Sequence, residues 1–540
     1  MDFENNNTLS APQENYEQRA LFKLSKKDTF FSLLAVLTCI FCAIFGIFGG
    51  FAIGYSISIV LINILFISYL YKNDKKIKSS ISYEILTISN SAVFVCTTNS
   101  SVRFLSIIIS FLFSLLTFNA MINEKDKSNR KTLSVFLSAA STMKNIDITI
   151  KSLFRTENGS KKTLGKVLIG FLCAIPILIV VVPLLISSDD AFRYMVEKIF
   201  KHTPSTVLKT IFGLIVSLFA ISYGFSLKSN HMIKFKKSTF SGIENIYIIS
   251  LLSTVSISYI LYLFSQLAYF FSAFKGFLPD IDATYAQYAR KGFFEMCAVA
   301  LIYLCLILLS LLLAKKENGK VCNGLRILLT FISIFTLIII ATAISKMVLY
   351  IETYGMTVIR LTTSAFMLFL AIVFISTILR IYIIKINVIK TALISACLII
   401  LTLGIANVNA ICAKYNYDAF KSNKLKTIDI EAIYNLGDEG IPYILKLGAS
   451  KDEDVALKAQ QYLAKAYVYD YFNNMENAED FTIEDLKLNE KNKGFSHLSI
   501  PRYKAYNQLY TFIDKNPWFA SICNVYANEL NDNYYVFAEN

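Results

Sequence analysis

Long apolar runs recur along most of this chain, and short polar segments rich in lysine separate them. An α-helix needs about 20 residues to cross the hydrocarbon core of a bilayer, and most of the runs are close to that length. The pattern therefore predicts eleven membrane-spanning helices. They lie near residues 30–48, 51–71, 82–98, 104–122, 165–186, 207–227, 245–272, 293–314, 325–345, 359–379 and 389–409.

The third run, residues 82–98, is marginal because it contains Glu84, Asn90 and Ser91. It can cross the membrane, or it can lie along the surface as an amphipathic segment. Crossing is favoured by the positions of Lys and Arg, which concentrate in the cytoplasmic loops of membrane proteins. If all eleven runs cross from a cytoplasmic N-terminus, most cations fall in the inner loops. If the third run does not cross, that asymmetry inverts for every later loop.

Three regions are predicted along the chain. Residues 1–28 are polar without apolar periodicity, which is typical of a disordered cytoplasmic tail. Residues 29–410 form a polytopic transmembrane helical bundle. Residues 411–540 carry 14 Lys/Arg against 19 Asp/Glu, and their helical apolar spacing predicts a smaller, mainly helical soluble domain. The predicted fold class is thus all-α, in a multi-pass protein of the cell membrane whose C-terminal domain is extracytoplasmic.

Composition agrees with a membrane location. Hydrophobic residues make up 55% of the chain and charged residues 17%, and the mean hydropathy is +0.51. These values exclude a soluble globular protein of this length. The net charge of +14 does not indicate nucleic-acid binding, because the lysines lie in loops between apolar segments. The lipid bilayer is therefore the predicted partner, and no nucleic acid is expected.

Common motifs for phosphate, dinucleotide and zinc binding do not occur, and the three histidines, His202, His231 and His497, lie far apart in sequence. No cofactor and no metal site is predicted. Ionisable side chains at membrane depth are costly, so each of them is a candidate for function. Cys412 and Cys523 could form a disulfide if the C-terminal domain lies outside the cytoplasm.

The first two candidate clusters lie at the predicted outer side. Asp189 and Asp190 can act as an acid pair or bind a cation, although a helix N-cap is the alternative interpretation. The polar segment from Thr284 to Glu295 lies between two long apolar runs, and it is either a functional site or an interfacial helix with tyrosines at the headgroups. Its candidate residues, with one from the preceding run, are Gln266, Tyr288, Arg290 and Glu295.

The third and fourth clusters are predicted on the same side. A helix break at Gly355, with Thr357 as the N-cap of the next helix, separates the residues of the third cluster. Those residues are Lys346, Glu352 and Arg360. The alternative is that the two cations extend to the membrane interface. The fourth cluster, the hinge 407–420 with Asn409, is either a polar linker or a segment that docks onto the other clusters.

Four segments follow one another in a recognisable order. They are LFSQLAYFF with TYAQYARKGFFE, then YIETYGMTVIR, then NVNAICAKYNYDAF, and finally Asp429 with LGDEGIP. Together they resemble the bacterial membrane family named domain of unknown function 4173, which is related to the 4153 group. The resemblance extends from the fifth apolar run to about residue 445. The family's hinge usually reads Asn-Pro-Asp, whereas this chain has Asn407, Val408 and Asn409.

This resemblance implies an integral membrane protein and supplies no activity, so it assigns no catalytic residue. The favoured hypothesis is a non-enzymatic envelope sensor or partner-binding protein with an outer C-terminal domain. One alternative is a transporter or lipid-handling protein with an outward-facing polar cavity, and a second is a membrane enzyme that uses Asp189 and Asp190. An envelope protein or a small molecule is the expected partner at the outer face, and the oligomeric state is left open.

Overall fold

The structure, a computed structural model, describes residues 25–71, 74–122, 142, 146, 181–202, 205–229, 242–275, 293–316, 321–383, 386–472, 495–516 and 519. Nearly all of these residues are helical, and no strand occurs among them. An isolated β-bridge joins Ile243 to Ala314. The prediction of an all-α fold is confirmed.

The described α-helices are numbered here in chain order. They are α1 (Lys26–Phe41), α2 (Ile53–Leu70), α3 (Asp74–Ser91), α4 (Val93–Cys96), α5 (Ser100–Ile122), α6 (Asp190–His202), α7 (Ser205–Ser229), α8 (Asn245–Lys275), α9 (Phe293–Leu313), α10 (Asn323–Tyr354), α11 (Val358–Tyr382), α12 (Val388–Ile405), α13 (Val408–Lys421), α14 (Ile430–Tyr434), α15 (Ile441–Gly448), α16 (Glu453–Phe472) and α17 (Ile500–Lys515). A π-helical turn, Cys42–Ile47, continues α1, and 3-10 turns occupy Gly437–Glu439 and Phe495–His497.

Eight helices of the described part of the chain are long and apolar enough to cross a membrane. They are Lys26–Ile47, Ile53–Leu70, Ser100–Ile122, Ser205–Lys228, Met296–Leu313, Asn323–Tyr354, Val358–Tyr382 and Val388–Ile405. Two shorter apolar helices, Ser80–Cys96 and Asn245–Leu261, coincide with two more predicted spans. Most of the predicted span near 165–186 lies outside the described residues, so the total of eleven stays a prediction. These helices make the chain a multi-pass membrane protein.

Helix α3, which belongs to the marginal third run, lies antiparallel to α5. Asn90 of α3 is fully buried and donates to the backbone oxygen of Ser106 at 2.9 Å and to the hydroxyl of Ser110 at 2.8 Å. Nearer the start of α3, Tyr83 packs on Phe113 with ring centroids 6.2 Å apart. Polar side chains of membrane helices commonly bond across helices in this way. The packing favours the prediction that this run crosses beside α5.

Two compact units make up the fold. The first consists of Met1–Ile40, Leu65–Leu70 and Phe136–Ile233, and the second of Phe41–Ile64, Tyr71–Val135 and Lys234–Asn540. Residues 411–540, expected to form a separate domain, belong to the second unit together with α3 to α5 and α8 to α12. The predicted boundary at residue 410 lies within the second unit, and the division into a bundle and a soluble domain stays a prediction.

Within the first unit, a buried ion pair joins two helices. Asp28 of α1 is almost fully buried and pairs with Lys228 near the end of α7. The carboxylate also accepts hydrogen bonds from the hydroxyl of Tyr69 at 2.7 Å and from the hydroxyl of Ser25 at 2.6 Å. Burial of a charge is tolerated when the charge is paired and hydrogen-bonded. The pair thus fixes the start of α1 against the end of α7.

The second unit has two ends, because α10, α11 and α12 alternate in direction. At one end, Arg326 near the start of α10 lies over the ring of Tyr382 near the end of α11, 4.9 Å from its centroid. Lys390, near the start of α12, lies over the ring of Tyr83 at 5.4 Å. We name this the cation end. At the other end, the junction end, α10 and α12 finish and α11 begins.

Apolar cores hold this unit together. Leu252 of α8, Ile307 of α9, Leu329 of α10 and Phe374 of α11 are fully buried in the membrane-spanning part. A separate core unites the helices α13 to α17, and Val358 at the start of α11 packs against it. The C-terminal helices therefore share apolar contacts with the junction end.

Candidate functional site

The chain enters the C-terminal helices through a hinge at Asn407. This residue has a left-handed backbone conformation with φ +59°, which asparagine adopts more readily than most residues. Its side-chain oxygen caps α13 by accepting from the backbone N–H of Ala410 at 3.2 Å. Its amide nitrogen donates to the backbone oxygen of Cys96 at 2.8 Å. The hinge is thereby fastened to the end of α4.

Glu439 lies at the centre of this junction and is only 4% exposed. One of its carboxylate oxygens accepts from the backbone N–H of Thr98 at 2.7 Å and from the hydroxyl of Thr97 at 3.3 Å. The other accepts from the hydroxyl of Thr98 and, at 3.5 Å, from the amide nitrogen of Asn409. Both oxygens are therefore occupied by donors, as a buried carboxylate requires.

The local backbone places Glu439 at that point. Gly437 has φ +71°, a conformation that glycine adopts without strain. A Cβ atom on Gly440 would overlap the backbone oxygen of Ile433, so the turn closes tightly only with glycine there. The two glycines let the 3-10 turn point its carboxylate back towards the loop between α4 and α5.

Asn409 extends the same network. It is buried, donates to the backbone oxygen of Leu436 at 2.9 Å, and accepts from the amide nitrogen of Asn99 at 2.7 Å. Asn99 in turn caps α5 by accepting from the N–H of Val102 at 3.0 Å. We name this set the Glu439 clamp. It consists of Thr97, Thr98, Asn99, Asn407, Asn409 and Glu439.

Arg103 supplies positive charge beside the clamp. Its Nε donates to the backbone oxygen of Thr97 at 2.7 Å, and one terminal nitrogen donates to the backbone oxygen of Phe94 at 3.1 Å. The guanidinium also interacts electrostatically with the carboxylates of Glu439 and Asp438. Arg103 therefore caps the end of α4 and balances the buried carboxylate. Neither the acidic turn Gly437–Glu439 nor the loop 97–99 is among the candidate sites predicted from the sequence. The only local signal is an acidic pair between two glycines, Asp438 and Glu439.

At the junction end, the segment of the third predicted cluster contacts that of the fourth. Asn416 of α13 accepts from the N–H of Met356 at 2.8 Å and donates to the oxygen of Met356 at 2.7 Å. Gly355, with φ +80°, forms the break between α10 and α11, and Thr357 caps α11. The structure thus confirms the predicted break and the predicted cap. This paired hydrogen bond is a second connection between the C-terminal helices and the bundle.

Residues of the third cluster occupy different surroundings. Arg360 donates to the backbone oxygens of Tyr354 and Gly355 and lies 4.1 Å from the ring centroid of Tyr350. Glu352 is exposed, whereas Lys346 is buried within α10. Arg360 therefore secures the end of α10, and a functional role for the three residues stays a prediction.

In the first cluster, Asp189 caps α6 by accepting from the N–H groups of Ala191 at 2.8 Å and Phe192 at 3.4 Å. Asp190 is exposed and pairs with Arg193 at 3.4 Å. In the second cluster, Tyr288 and Arg290 lie outside the described residues. Gln266 and Glu295 lie on α8 and α9, but their side chains are outside the described part. Among the described residues, no three His, Cys, Asp or Glu side chains group as metal ligands.

Cys412, one partner of the predicted disulfide, is a free and fully buried thiol in α13. Cys523 lies outside the described residues. Burial raises the pKa of the Cys412 thiol from 9.0 to about 12. Such a cysteine behaves as a small apolar side chain.

One family model matches residues 85–447, about two thirds of the chain, and its description reads Domain of unknown function (DUF4153). The chain belongs to this family. It is the group that the sequence analysis named as related, and the resemblance to the 4173 family stays a prediction. The match covers every residue of the Glu439 clamp. Neither the curated proteins nor the solved structures contain a match to the chain.

Proposed function

We propose that this protein is a non-enzymatic envelope protein whose C-terminal helices sense a signal or bind a partner while the Glu439 clamp holds them at the end of the bundle. The observation that carries the proposal is the buried carboxylate of Glu439, which joins the C-terminal turn to the loop between α4 and α5. Such a carboxylate makes a specific connection, because it needs these four donors when it is buried. If the segment undocks, the carboxylate and its donors must bind water instead.

Charge distribution supports an outer location for these helices. Arg326 and Lys390 lie at the cation end, together with Lys315 at the end of α9. Cations concentrate at the cytoplasmic face of membrane proteins. The junction end is opposite, which supports a position of the C-terminal helices outside the cytoplasm.

The roles of the placed carboxylates support a binding role rather than catalysis. One carboxylate oxygen of Asp189 accepts from the N–H groups at the N-terminus of α6, and both oxygens of Glu439 accept from donors of the clamp. A general acid or base needs an oxygen directed at a substrate proton. Both carboxylates instead connect parts of the protein.

Three experiments test this proposal in the native host. Removal of residues 415–540 should abolish the envelope phenotype of the gene while the bundle still inserts, because those residues carry the binding surface. Glu439→Gln should weaken that phenotype, and Glu453→Gln, which alters an exposed carboxylate of α16, should not. Protease added to intact spheroplasts should cleave the C-terminal helices. An unchanged phenotype after removal of residues 415–540 contradicts the proposal.

A transporter is the second candidate, and one observation favours it. Lys346 is buried within α10, a helix long enough to cross the membrane, and ionisable groups at that depth commonly mark substrate or ion pathways. Under this proposal Lys346→Met abolishes substrate movement into proteoliposomes, whereas Lys414→Met, at an exposed position of α13, leaves it unchanged. If neither variant loses transport, this candidate is wrong.

A further inference from the structure

A short C-terminal segment, residues 495–503, lies beside the turn that connects α1 to α2. The backbone N–H of Ile53, at the start of α2, donates to the oxygen of Leu498 at 3.3 Å. His497 packs against the position that a side chain on Gly50 would occupy. Because α2 is long and apolar enough to span the bilayer, the segment lies at the level where a membrane helix ends.

The side chains of this segment that face outwards are apolar. Phe495 is 59% exposed, Leu498 40%, Ile500 58% and Tyr503 62%. We name these four residues the apolar edge. In an ordinary soluble domain, such side chains on neighbouring positions would form an exposed hydrophobic patch, which usually marks a contact surface.

Helix α17 changes character along its length. Its buried face is formed by Pro501, Ala505 and Leu509. Its exposed face is apolar only in the first turn, nearest to α2, and becomes polar further on. The described residues exposed after the first turn are Lys504, Asn507, Gln508, Thr511 and Lys515. Among the α17 side chains that the structure describes, the exposed apolar ones therefore lie next to the end of a membrane helix.

We propose that the apolar edge inserts into the lipid bilayer at the boundary between headgroups and acyl chains. The lipid-facing surface of the bundle leads up to it, since Ile44 and Phe48 are exposed just before the α1–α2 turn. Aromatic and aliphatic side chains with a nearby cation suit this boundary, where Tyr503 reaches the headgroups and Lys504 meets phosphate. This proposal requires neither the sensor function nor a particular side of the membrane.

Lipid contact at this edge gives the C-terminal helices a third attachment, besides the Glu439 clamp and the Asn416 pair. A change in bilayer thickness or lipid packing would act on the apolar edge directly. The C-terminal helices are thus physically connected to the state of the bilayer.

Tryptophan fluorescence tests the insertion, because the chain has one tryptophan, Trp518. With Trp518→Phe as background, Tyr503→Trp or Phe495→Trp places the only tryptophan in the apolar edge of the full-length protein, and excitation at the red edge of the absorption band avoids the tyrosines. Both positions are exposed, so each variant should fold. In proteoliposomes with brominated acyl chains, each emission should fall relative to unbrominated lipid, most strongly for bromines about 5–10 Å below the headgroups.

Leu457→Trp in the same background is the matched control, since Leu457 is 51% exposed but lies on α16 close to Glu453 and Asp454. Its emission should be insensitive to brominated lipid and sensitive to aqueous iodide. If the emission of both edge variants is quenched by iodide and not by brominated lipid, the edge faces water and the proposal is wrong. If neither quencher acts on them, another protein segment or a second copy covers the edge, which also contradicts the proposal.

Discussion

Glu439→Ala removes both oxygens of the carboxylate at the centre of the Glu439 clamp. The N–H and hydroxyl of Thr98, the hydroxyl of Thr97 and the amide of Asn409 then lose their acceptor. Leaving a buried donor unsatisfied costs about 1–3 kcal/mol, and the four contributions are not additive because they share one partner. Water entering the space compensates part of the loss. We therefore expect the docked state of the C-terminal helices to lose about 2–4 kcal/mol.

Cys412 reports on that docked state, because it is fully buried in the core of the C-terminal helices. A maleimide reaches it only when those helices open. A loss of about 2–4 kcal/mol raises the open population, and hence the labelling rate, by about 30- to 1,000-fold. Mass spectrometry of the labelled peptide measures that rate at one fixed pH without replacing the other cysteines.

Two further variants calibrate the result. Glu453→Gln alters an exposed carboxylate on α16 and should leave the labelling rate of Cys412 within about two-fold of the original. Thr98→Val removes one hydroxyl donor but keeps the backbone N–H, so it should cost about 1 kcal/mol and raise the rate about five-fold. If Glu439→Ala labels as slowly as the unaltered protein, the clamp does not hold the C-terminal helices and the reasoning fails.

Three other substitutions or conditions give measurable outcomes. Gly355→Ala should lower the free energy of unfolding in detergent by about 1–3 kcal/mol, because φ is +80° and a Cβ would lie 2.6 Å from the side-chain oxygen of Asn416. Gly324→Ala should not, because a Cβ there would meet Ile249 at an ordinary contact distance of 3.7 Å. Lys228→Met leaves Asp28 buried without its cation and should lower the free energy of unfolding by about 3–5 kcal/mol. Adding Asp28→Asn should recover much of that loss. Equal stability of the single and double variants would contradict the pairing. Burial raises the pKa of the Cys412 thiol to about 12 in the folded protein. The neutral thiol therefore stabilises the fold fully below pH 9, and this contribution is lost as the pH rises towards 12. The free energy of unfolding should accordingly fall between pH 8 and pH 11.

Local patterns in the sequence predicted several features of the junction end correctly. Glycine at position 355 and threonine at position 357 indicated a helix break and an N-cap, and both are present. Each is decided by neighbours within a few residues, through backbone conformation and a side-chain to backbone hydrogen bond. Asp189 shows the limit of such patterns, because one sequence fits both a helix cap and an acid pair.

The Glu439 clamp needed the tertiary structure. Glu439 and Thr98 are separated by 341 residues, and nothing in the spacing of either segment specifies the other as its partner. The segment LGDEGIP is recognisable in the sequence, but its local pattern does not single out Glu439. Lys346, Glu352 and Arg360 are predicted to flank the helix break at Gly355, and the structure adds that Arg360 binds carbonyl oxygens at the end of α10.

By itself, the sequence determined that this protein is helical, crosses the membrane several times and turns at particular glycines and asparagines. These properties depend on hydrophobic length and on short-range backbone preferences, which a linear pattern contains. The tertiary structure alone decided which polar groups meet, because an apolar surface can pack against many partners while a buried carboxylate needs specific donors. At the junction end, three of the four donors come from a loop that precedes Glu439 by more than half of the chain.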